Sequence, residues 1–211
     1  MSRLPDSKDF DAARRLASRL HETTLDQLFR EARPHNAWLD QPVPRALLEE
    51  AVELAKMAPT AVNAQPIRIV FVESAEAKAR LKPALSPGNL DKTMAAPVTA
   101  ILAHDTAFHD HLPRLFPHAD VRPMFANNPD AAKSTATQNA TLQAAYFILA
   151  LRSLGLDTGP MGGFDRVKVD AEFFAGTTQH SDLLVNIGYG DHAKLFPRSP
   201  RLAFHEMASF A

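Results

Sequence analysis

The 211-residue sequence contains no cysteine, so disulfide bonds, thiolate metal sites and cysteine nucleophiles are excluded. No apolar run approaches the roughly 18 residues of a membrane span, and the first residues lack the apolar centre of a signal peptide. The formal net charge of −1 offers no overall field that would attract nucleic acid or an anionic membrane. We therefore expect a cytoplasmic protein that binds neither nucleic acid nor a membrane.

Several catalytic and nucleotide-binding motifs are missing as well. The sequence has no G-x-S-x-G nucleophile elbow, no G-x-G-x-x-G fingerprint after a strand and no P-loop lysine motif. Nine histidines are present, but none shows the H-E-x-x-H spacing of a zinc site. His109 and His111 are two residues apart and would not share one face of a helix. The sequence therefore predicts no metal site.

The residues that are present suit an ordinary globular core, since 45% are apolar and 22% are charged. Three apolar runs predict buried strands at 67–72, 98–104 and 183–189. Helical periodicity or composition predicts helices at 24–32, 43–58, 74–85, 131–154 and 167–174. The alternation of the two indicates an α/β or α+β protein, and the small number of strands argues against a large doubly wound sheet.

The helix predicted at 131–154 is apolar on most sides in its centre, LQAAYFILALRSLG, so we expect it to be central and buried. A helix of this kind beside a small sheet often needs a second subunit to cover it, which suggests a dimer. The proline-rich residues 105–132 read as a lid or a helical excursion, and GLDTGPMGGFD reads as a glycine-rich turn. We expect a leader or extra helix at 1–22 and one domain at 23–211.

A polar connector lies between a helix and a strand in KMAPTAVNAQPIRIVFV, residues 56–72. Thr60, Asn63 and Gln65 supply a hydroxyl and two amides, which are the groups that a polar planar ligand needs. Arginines also occur in connectors, in RPH near residue 33 and in PRSPR at 197–201. An arginine fork binds phosphate with two parallel hydrogen bonds, although a solvated charge is the usual role of a single arginine.

These stretches resemble the nitroreductase superfamily. APTAVNAQPIRIVFV resembles its signature P-S-S-x-N-x-Q-P-W-x-F, with Ile67 in the place of the usual tryptophan. The basic connector RPHN, the segment LGLDTGPMGGF, the strand end IGYG and the late PRSPR follow in the family's order, so that the resemblance covers about residues 24–207. The stretches most similar to the malonic semialdehyde reductase (RutE) subfamily are 32–38, 81–101, 112–120, 154–170 and 183–191.

The resemblance implies an α+β FMN-binding fold with a small central sheet flanked by helices, in a homodimer with two FMN sites at the subunit interface. NADPH or NADH would be the reductant and a small aldehyde the acceptor, namely malonic semialdehyde reduced to 3-hydroxypropionate in pyrimidine degradation. The implied cofactor-binding residues are Arg33, His35, Asn36, Pro59, Thr60, Ala61, Asn63, Gln65, Pro160, Met161, Gly162, Arg198 and Arg201.

His35 and Asn36 are also the predicted catalytic donors to the carbonyl oxygen of the acceptor. Arg114 and Arg122 are candidates for binding the carboxylate of malonic semialdehyde, with surface charge as the alternative role. Two other functions stay open at this point. One is nitro or quinone reduction, or other flavin chemistry of the same superfamily, and the other is flavin binding with little turnover.

Overall fold

The structure, a computed structural model, describes residues 19–211, and the chain divides into two compact units that meet between Ala32 and Arg33. In the first unit, helix α1 (Glu22–Leu25) continues as a π-helical segment (Asp26–Arg30). The helix expected at 24–32 is thus present, but it begins two residues earlier and changes from an α-helix to a π-helix. The leader or extra helix expected at 1–22 lies almost wholly outside the described residues, and its boundary stays a prediction.

A four-stranded antiparallel sheet forms the centre of the second unit, in the order β1-β2-β4-β3. The strands are β1 (Ile67–Val72), β2 (Val98–Asp105), β3 (Asp157–Met161) and β4 (Gln179–Gly188). The register aligns Val70, Ile101, Leu184 and Met161 across the sheet. Strand β2 is buried along its whole length, whereas β1 and β3 form the two edges.

Strand β3 corrects the expectation of a simple glycine-rich turn in GLDTGPMGGFD. Pro160 cannot donate a ladder hydrogen bond. An edge strand tolerates this because no further strand of the sheet lies on its outer side. Gly159 permits a close approach, since a Cβ atom at this position would lie 2.5 Å from the carbonyl oxygen of His35. The turn-like composition therefore reflects an edge strand against which another segment packs.

Among residues 33–211, eight α-helices accompany the sheet. They are α2 (Arg45–Ala55), α3 (Ala75–Leu81), α4 (Pro87–Ala95), α5 (Leu112–Leu115), α6 (Arg122–Ala126), α7 (Pro129–Ser153), α8 (Arg166–Phe173) and α9 (Phe204–Met207). The sequence did not predict α4, because its Pro87-Gly88 pair suggested a turn. Proline is favoured in the first turn of a helix, and Pro87 occupies that position.

The core has two layers because successive residues of a strand point to opposite faces of the sheet. On one face, Ala100 and Leu102 join a cluster with Phe147 and Leu151 of α7, beneath α2. On the other face, Ile101 packs in a cluster that includes residues of α3 and α8. The residues before α7 form a smaller cluster with its first turns: Phe108, Leu112, Phe125, Ala132 and Ala136.

Helix α7 is not covered on all sides within one chain. Its buried face carries Ala140 and Phe147, but Leu142 and Tyr146 on the opposite face are 46% and 42% exposed. In the single chain the expected burial therefore holds for one face of α7, and the covering of the other face by a second subunit stays a prediction. Among residues 19–211, none of the helices combines the length and hydropathy required to cross a membrane.

Candidate functional site

The loop between α2 and β1 has a strained backbone. Val62, Asn63 and Gln65 have φ values of 48°, 51° and 43°, in the left-handed region that residues other than glycine rarely adopt. Such conformations cost of order 1–3 kcal/mol each and persist only where the surroundings impose them. Strain of this kind is concentrated at functional sites, which makes residues 59–65 the first candidate segment.

Two buried amides of α7 hold this loop in place. Asn139 Oδ1 accepts a hydrogen bond from the Ala61 backbone N–H at 2.7 Å, and Gln143 Oε1 accepts one from the Ile67 N–H at 3.1 Å. Both amide side chains are almost completely buried, at 3% and 1% exposure. They lie four residues apart and so share one face of the helix. Analysis of the sequence did not identify them, although two amides at this spacing in an apolar helix were an available signal.

The polar side chains predicted to face a ligand mainly hold the loop together. Gln65 Nε2 donates to Asn63 Oδ1 at 2.8 Å, and Asn63 Nδ2 donates to the Leu115 carbonyl at 2.9 Å. Thr60 Oγ1 accepts from the Gln65 backbone N–H at 3.2 Å. Pro59 and Ala61 are the exposed residues of the segment's first half. Pro59, Ala61 and Asn63 are thus the exposed residues of this segment, and the amide of Asn63 is already hydrogen-bonded within the protein.

Replacing Asn139 by alanine should destabilise the protein by about 1–3 kcal/mol, because the Ala61 N–H loses its acceptor. Urea unfolding of this variant measures the free-energy difference. Asn127→Ala is the matched control, since Asn127 is an exposed asparagine that follows α6. An Asn139→Ala variant as stable as this control would show that the loop does not depend on the amide.

A second group of predicted residues lies along the opposite edge of the sheet. The connector that begins at Arg33 runs beside β3, with the His35 N–H donating to the Thr158 carbonyl at 2.9 Å. Arg33 Nη2 donates to the Phe196 carbonyl at 2.7 Å, which joins the connector to the C-terminal tail, residues 189–211. Asn36 is exposed beside this contact region. The connector, β3 and the start of the tail thus form one assembly.

His35 is enclosed within this assembly and is only 1% exposed. Burial lowers the pKa of its imidazole, an effect that the charge of Asp157 partly opposes. Neither ring nitrogen has a hydrogen-bond partner among the described residues. The predicted catalytic and cofactor roles of His35 stay predictions, but of the two predicted donors only Asn36 reaches the surface in the single chain.

Two predicted phosphate ligands, one in the connector and one in the tail, have no carboxylate partner among the described residues. Among residues 19–211, neither Arg33 nor Arg201 has a carboxylate oxygen within 4.0 Å. Arg201 Nη1 donates only to carbonyls of its own tail, at Ser199 and Pro200. Arg198 is exposed in the same tail. The guanidinium groups of Arg33 and Arg201 are suited to binding an anion.

The two groups do not come together within one chain. The strained loop leads into β1, whereas Pro160 and Met161 belong to β3, and Gly162 follows directly. These strands are the outer members of the sheet, so three inter-strand spacings, or roughly 14 Å, separate them. The two groups therefore belong to opposite edges of the sheet.

The two arginines considered for a substrate carboxylate differ in their surroundings. Arg122 Nη2 lies 2.7 Å from Asp110 Oδ1, so its charge is already paired. Arg114 is exposed and has no carboxylate partner within 4.0 Å among the described residues. It also precedes Leu115, whose carbonyl accepts from Asn63 of the strained loop. Arg114 is therefore the better placed of the two.

Comparison with known proteins agrees with the fold. Residues 31–189 match the nitroreductase family, which is more than half of the chain. The chain belongs to this family. A Burkholderia lata protein named "Putative NADH dehydrogenase/NAD(P)H nitroreductase" is 63% identical over 189 residues, covering 90% of this chain and 97% of the relative. A Stenotrophomonas maltophilia protein of the same name is 58% identical over 192 residues, covering 91% and 98%.

Solved structures of the family share the fold at lower identity. A nitroreductase structure from Bacillus subtilis superimposes with a TM-score of 0.80 at 22% identity, covering 90% of this chain and 100% of that one. A structure from Exiguobacterium sibiricum, described as in complex with FMN, gives a TM-score of 0.79 at 20% identity and covers 92% and 100%. The predicted α+β nitroreductase fold is thereby confirmed.

Proposed function

We propose that this nitroreductase-family chain is an FMN-dependent NAD(P)H oxidoreductase whose cofactor site is built by two copies of the chain. The observation that carries the proposal is the separation of the loop at 59–65 from the assembly of connector, β3 and tail. These two groups lie at opposite edges of one sheet. In a homodimer, the first group of one chain would meet the second group of its partner.

The residues present fit FMN. A phosphate needs cationic donors, and Arg33 and Arg201 offer guanidinium groups that have no carboxylate partner within residues 19–211. A flat ring needs a smooth wall, and Pro59, Thr60 and Ala61 present one that the amides of α7 hold in place. Family members solved with FMN share the fold, as the Exiguobacterium sibiricum structure illustrates. When bound, FMN supplies the ability to accept and release hydride.

Most of the predicted site residues then have a role. Arg33, Arg198 and Arg201 bind the phosphate, and the backbone at Pro160–Gly162 lies against the ring edge. Asn63 and Gln65 keep the loop in its strained conformation rather than contacting the ring. Asn36 donates a hydrogen bond to the substrate oxygen as negative charge develops on it, a contribution that is typically worth 10²–10³ in rate when such a donor is well placed.

Uncovered apolar surface supports the dimer. Leu142 and Tyr146 of α7 are half-exposed on one helical face, four residues apart. The C-terminal tail exposes a second apolar set: Phe196, Leu202, Phe204, Met207 and Phe210. Extended exposed apolar surface is typical of protein interfaces. We infer that α7 packs against its counterpart and that the tail lies on the partner chain.

For the acceptor, we propose malonic semialdehyde as the substrate, because Arg114 can pair with its carboxylate. Arg114→Ala should then raise the KM for malonic semialdehyde by roughly tenfold, the equivalent of about 1.4 kcal/mol, and leave the KM for NAD(P)H unchanged. Arg122→Ala is the matched control, because Arg122 is already paired with Asp110. Equal KM values for the two variants would exclude Arg114 as the carboxylate ligand.

A second candidate is the reduction of nitroaromatics or quinones, which the names of the relatives at 63% and 58% identity favour. Such acceptors carry no carboxylate, so they would not depend on Arg114. The location in the cytoplasm and the place in pyrimidine degradation stay predictions.

Stopped-flow mixing under anaerobic conditions tests the proposed function. NADH or NADPH should bleach the flavin absorbance of the purified protein, and the acceptor that restores it fastest identifies the substrate class. Restoration by malonic semialdehyde ahead of nitroaromatics and quinones supports the first candidate, and the reverse order supports the second. A flavin that neither nucleotide bleaches would show a flavin-binding protein with little turnover.

A further inference from the structure

Three potential metal ligands from distant parts of the sequence meet beside the connector. One ligand atom each of His35, Asp157 and His192 lie within 4.8 Å of one another. His35 comes from the connector, Asp157 begins β3, and His192 begins a short 3₁₀ helix after β4. Their positions are more than 30 residues apart, so no spacing motif in the sequence could indicate this cluster.

The ring of His35 is held in a pocket that gives its nitrogens no protein partner. It is 1% exposed, and neither Nδ1 nor Nε2 forms a hydrogen bond with the described residues. A Cβ atom on Gly190 would lie 1.9 Å from Nδ1, so only glycine at 190 leaves room for this ring. A buried imidazole that is this tightly enclosed normally has a partner for at least one nitrogen.

The distances fit coordination better than a direct hydrogen bond. His35 Nε2 lies 3.4 Å from Asp157 Oδ1, in a geometry that makes no hydrogen bond. Around a tetrahedral zinc ion with bonds of about 2.0–2.1 Å, neighbouring ligand atoms are about 3.3 Å apart. The two atoms are thus already at the separation that a shared ion requires.

The carboxylate and the second histidine are suited to the same ion. Asp157 Oδ2 accepts a hydrogen bond from the Gly190 N–H at 2.9 Å, which orients the carboxylate and leaves Oδ1 available. A hydrogen bond to the second oxygen is the usual way in which a metal-binding carboxylate is held. The ring of His192 lies edge-on to that of His35 with centroids 5.0 Å apart, and it is exposed, so it can adjust its rotamer.

We propose that His35, Asp157 and His192 form a binding site for one divalent transition-metal ion per chain, of the zinc class. Two imidazoles and a carboxylate are the ligand set that zinc accepts when a fourth position is left to water. The ion would tie the connector to β3 and to the start of the tail. It would therefore hold the connector, which carries Arg33 and Asn36, in one position. The site does not depend on bound FMN or on the proposed reaction.

Calorimetric titration of Zn²⁺ into the untagged full-length protein tests the site. We expect one Zn²⁺ per chain and a higher melting temperature with the metal than after chelation. His192→Ala removes an exposed ligand, and Asp157→Asn keeps an oxygen acceptor for the Gly190 N–H. Each should weaken Zn²⁺ binding by on the order of 100-fold. His111→Ala is the control, because His111 is an exposed histidine outside the cluster.

Melting curves of the metal-free variants establish that they fold. The proposal is supported if the wild-type protein and His111→Ala bind one equivalent with equal affinity and both cluster variants do not. It is overturned if the wild-type protein binds less than one equivalent, or if His192→Ala binds as tightly as the wild type. Flavin content is not a readout here, so either result leaves the oxidoreductase proposal to be tested separately.

Discussion

Replacing Leu142 by arginine should give a monomer that purifies without FMN. Leu142 lies on the exposed face of α7, four residues before Tyr146, where we propose that two copies pack together. A guanidinium buried there without a partner would cost several kcal/mol, which is enough to separate the chains. Each FMN site of the dimer takes one residue group from each chain, so a site on a monomer would have only one of the two groups. We therefore expect FMN affinity to fall by at least about 100-fold, which corresponds to about 2.7 kcal/mol.

Light scattering after size-exclusion chromatography gives the mass, and the flavin absorbance of the same peak gives the occupancy. Val167→Arg is the matched control, because Val167 is an aliphatic residue of α8 that is 79% exposed. It adds the same charge to a face with no role in the proposed site. A Leu142→Arg protein that stays dimeric and yellow would show that α7 does not form the interface.

Replacing Arg201 by alanine should weaken FMN binding by roughly 10- to 100-fold. A hydrogen bond to a charged group contributes about 1.5–3 kcal/mol, and Arg201 has no carboxylate partner among the described residues that would compete with phosphate. Arg201→Lys should recover part of the loss, because it keeps the charge but not the two parallel donors. Fluorescence titration of the flavin-free protein with FMN measures each affinity.

Riboflavin, which lacks the phosphate, separates a direct contact from a general disturbance. We expect the wild-type protein and Arg201→Ala to bind riboflavin equally weakly. Arg80→Ala serves as the control, because Arg80 is an exposed arginine already paired with Glu172 at 2.6 Å. Unchanged FMN affinity in Arg201→Ala would remove this residue from the phosphate site.

Most of the fold was predictable because a long apolar run indicates a buried strand or helix. The first strand was predicted with its observed bounds, Ile67–Val72, and α7 was placed within two residues at its start and one at its end. Strand β3 was missed because Gly159 and Pro160 carry the local signal of a turn. Only tertiary structure shows that the proline lies on an edge strand and that the glycine accommodates the backbone of His35.

The sequence indicated the segments of the candidate site but not their arrangement. Its motif pointed to residues 59–65, where the structure shows a strained backbone, yet the amides of Asn63 and Gln65 form hydrogen bonds within the chain. That Asn139 supports the loop depends on packing across 78 residues of sequence, which local patterns do not report. The enclosure of His35 likewise depends on Asp157, which comes from β3, and on Gly190, which follows β4.

The central claim is that each FMN site combines the loop of one chain with the connector, β3 and tail of the other. Two defective chains test it most directly. Ala61→Trp places a bulky side chain where the flavin ring is proposed to lie against the loop. The double variant Arg33→Ala/Arg201→Ala removes the proposed phosphate ligands. Each variant alone should retain almost no FMN. Mixed dimers, isolated through two different affinity tags after co-expression, contain one chain of each kind.

Flavin stoichiometry of these mixed dimers is the decisive measurement. If the site is shared, one of the two sites combines an intact loop with an intact connector and tail, while the other has both defects. We therefore expect one FMN per mixed dimer, bound with wild-type affinity. Mixed dimers that bind no more FMN than the two parent variants would contradict it, because sites built within single chains would both remain defective.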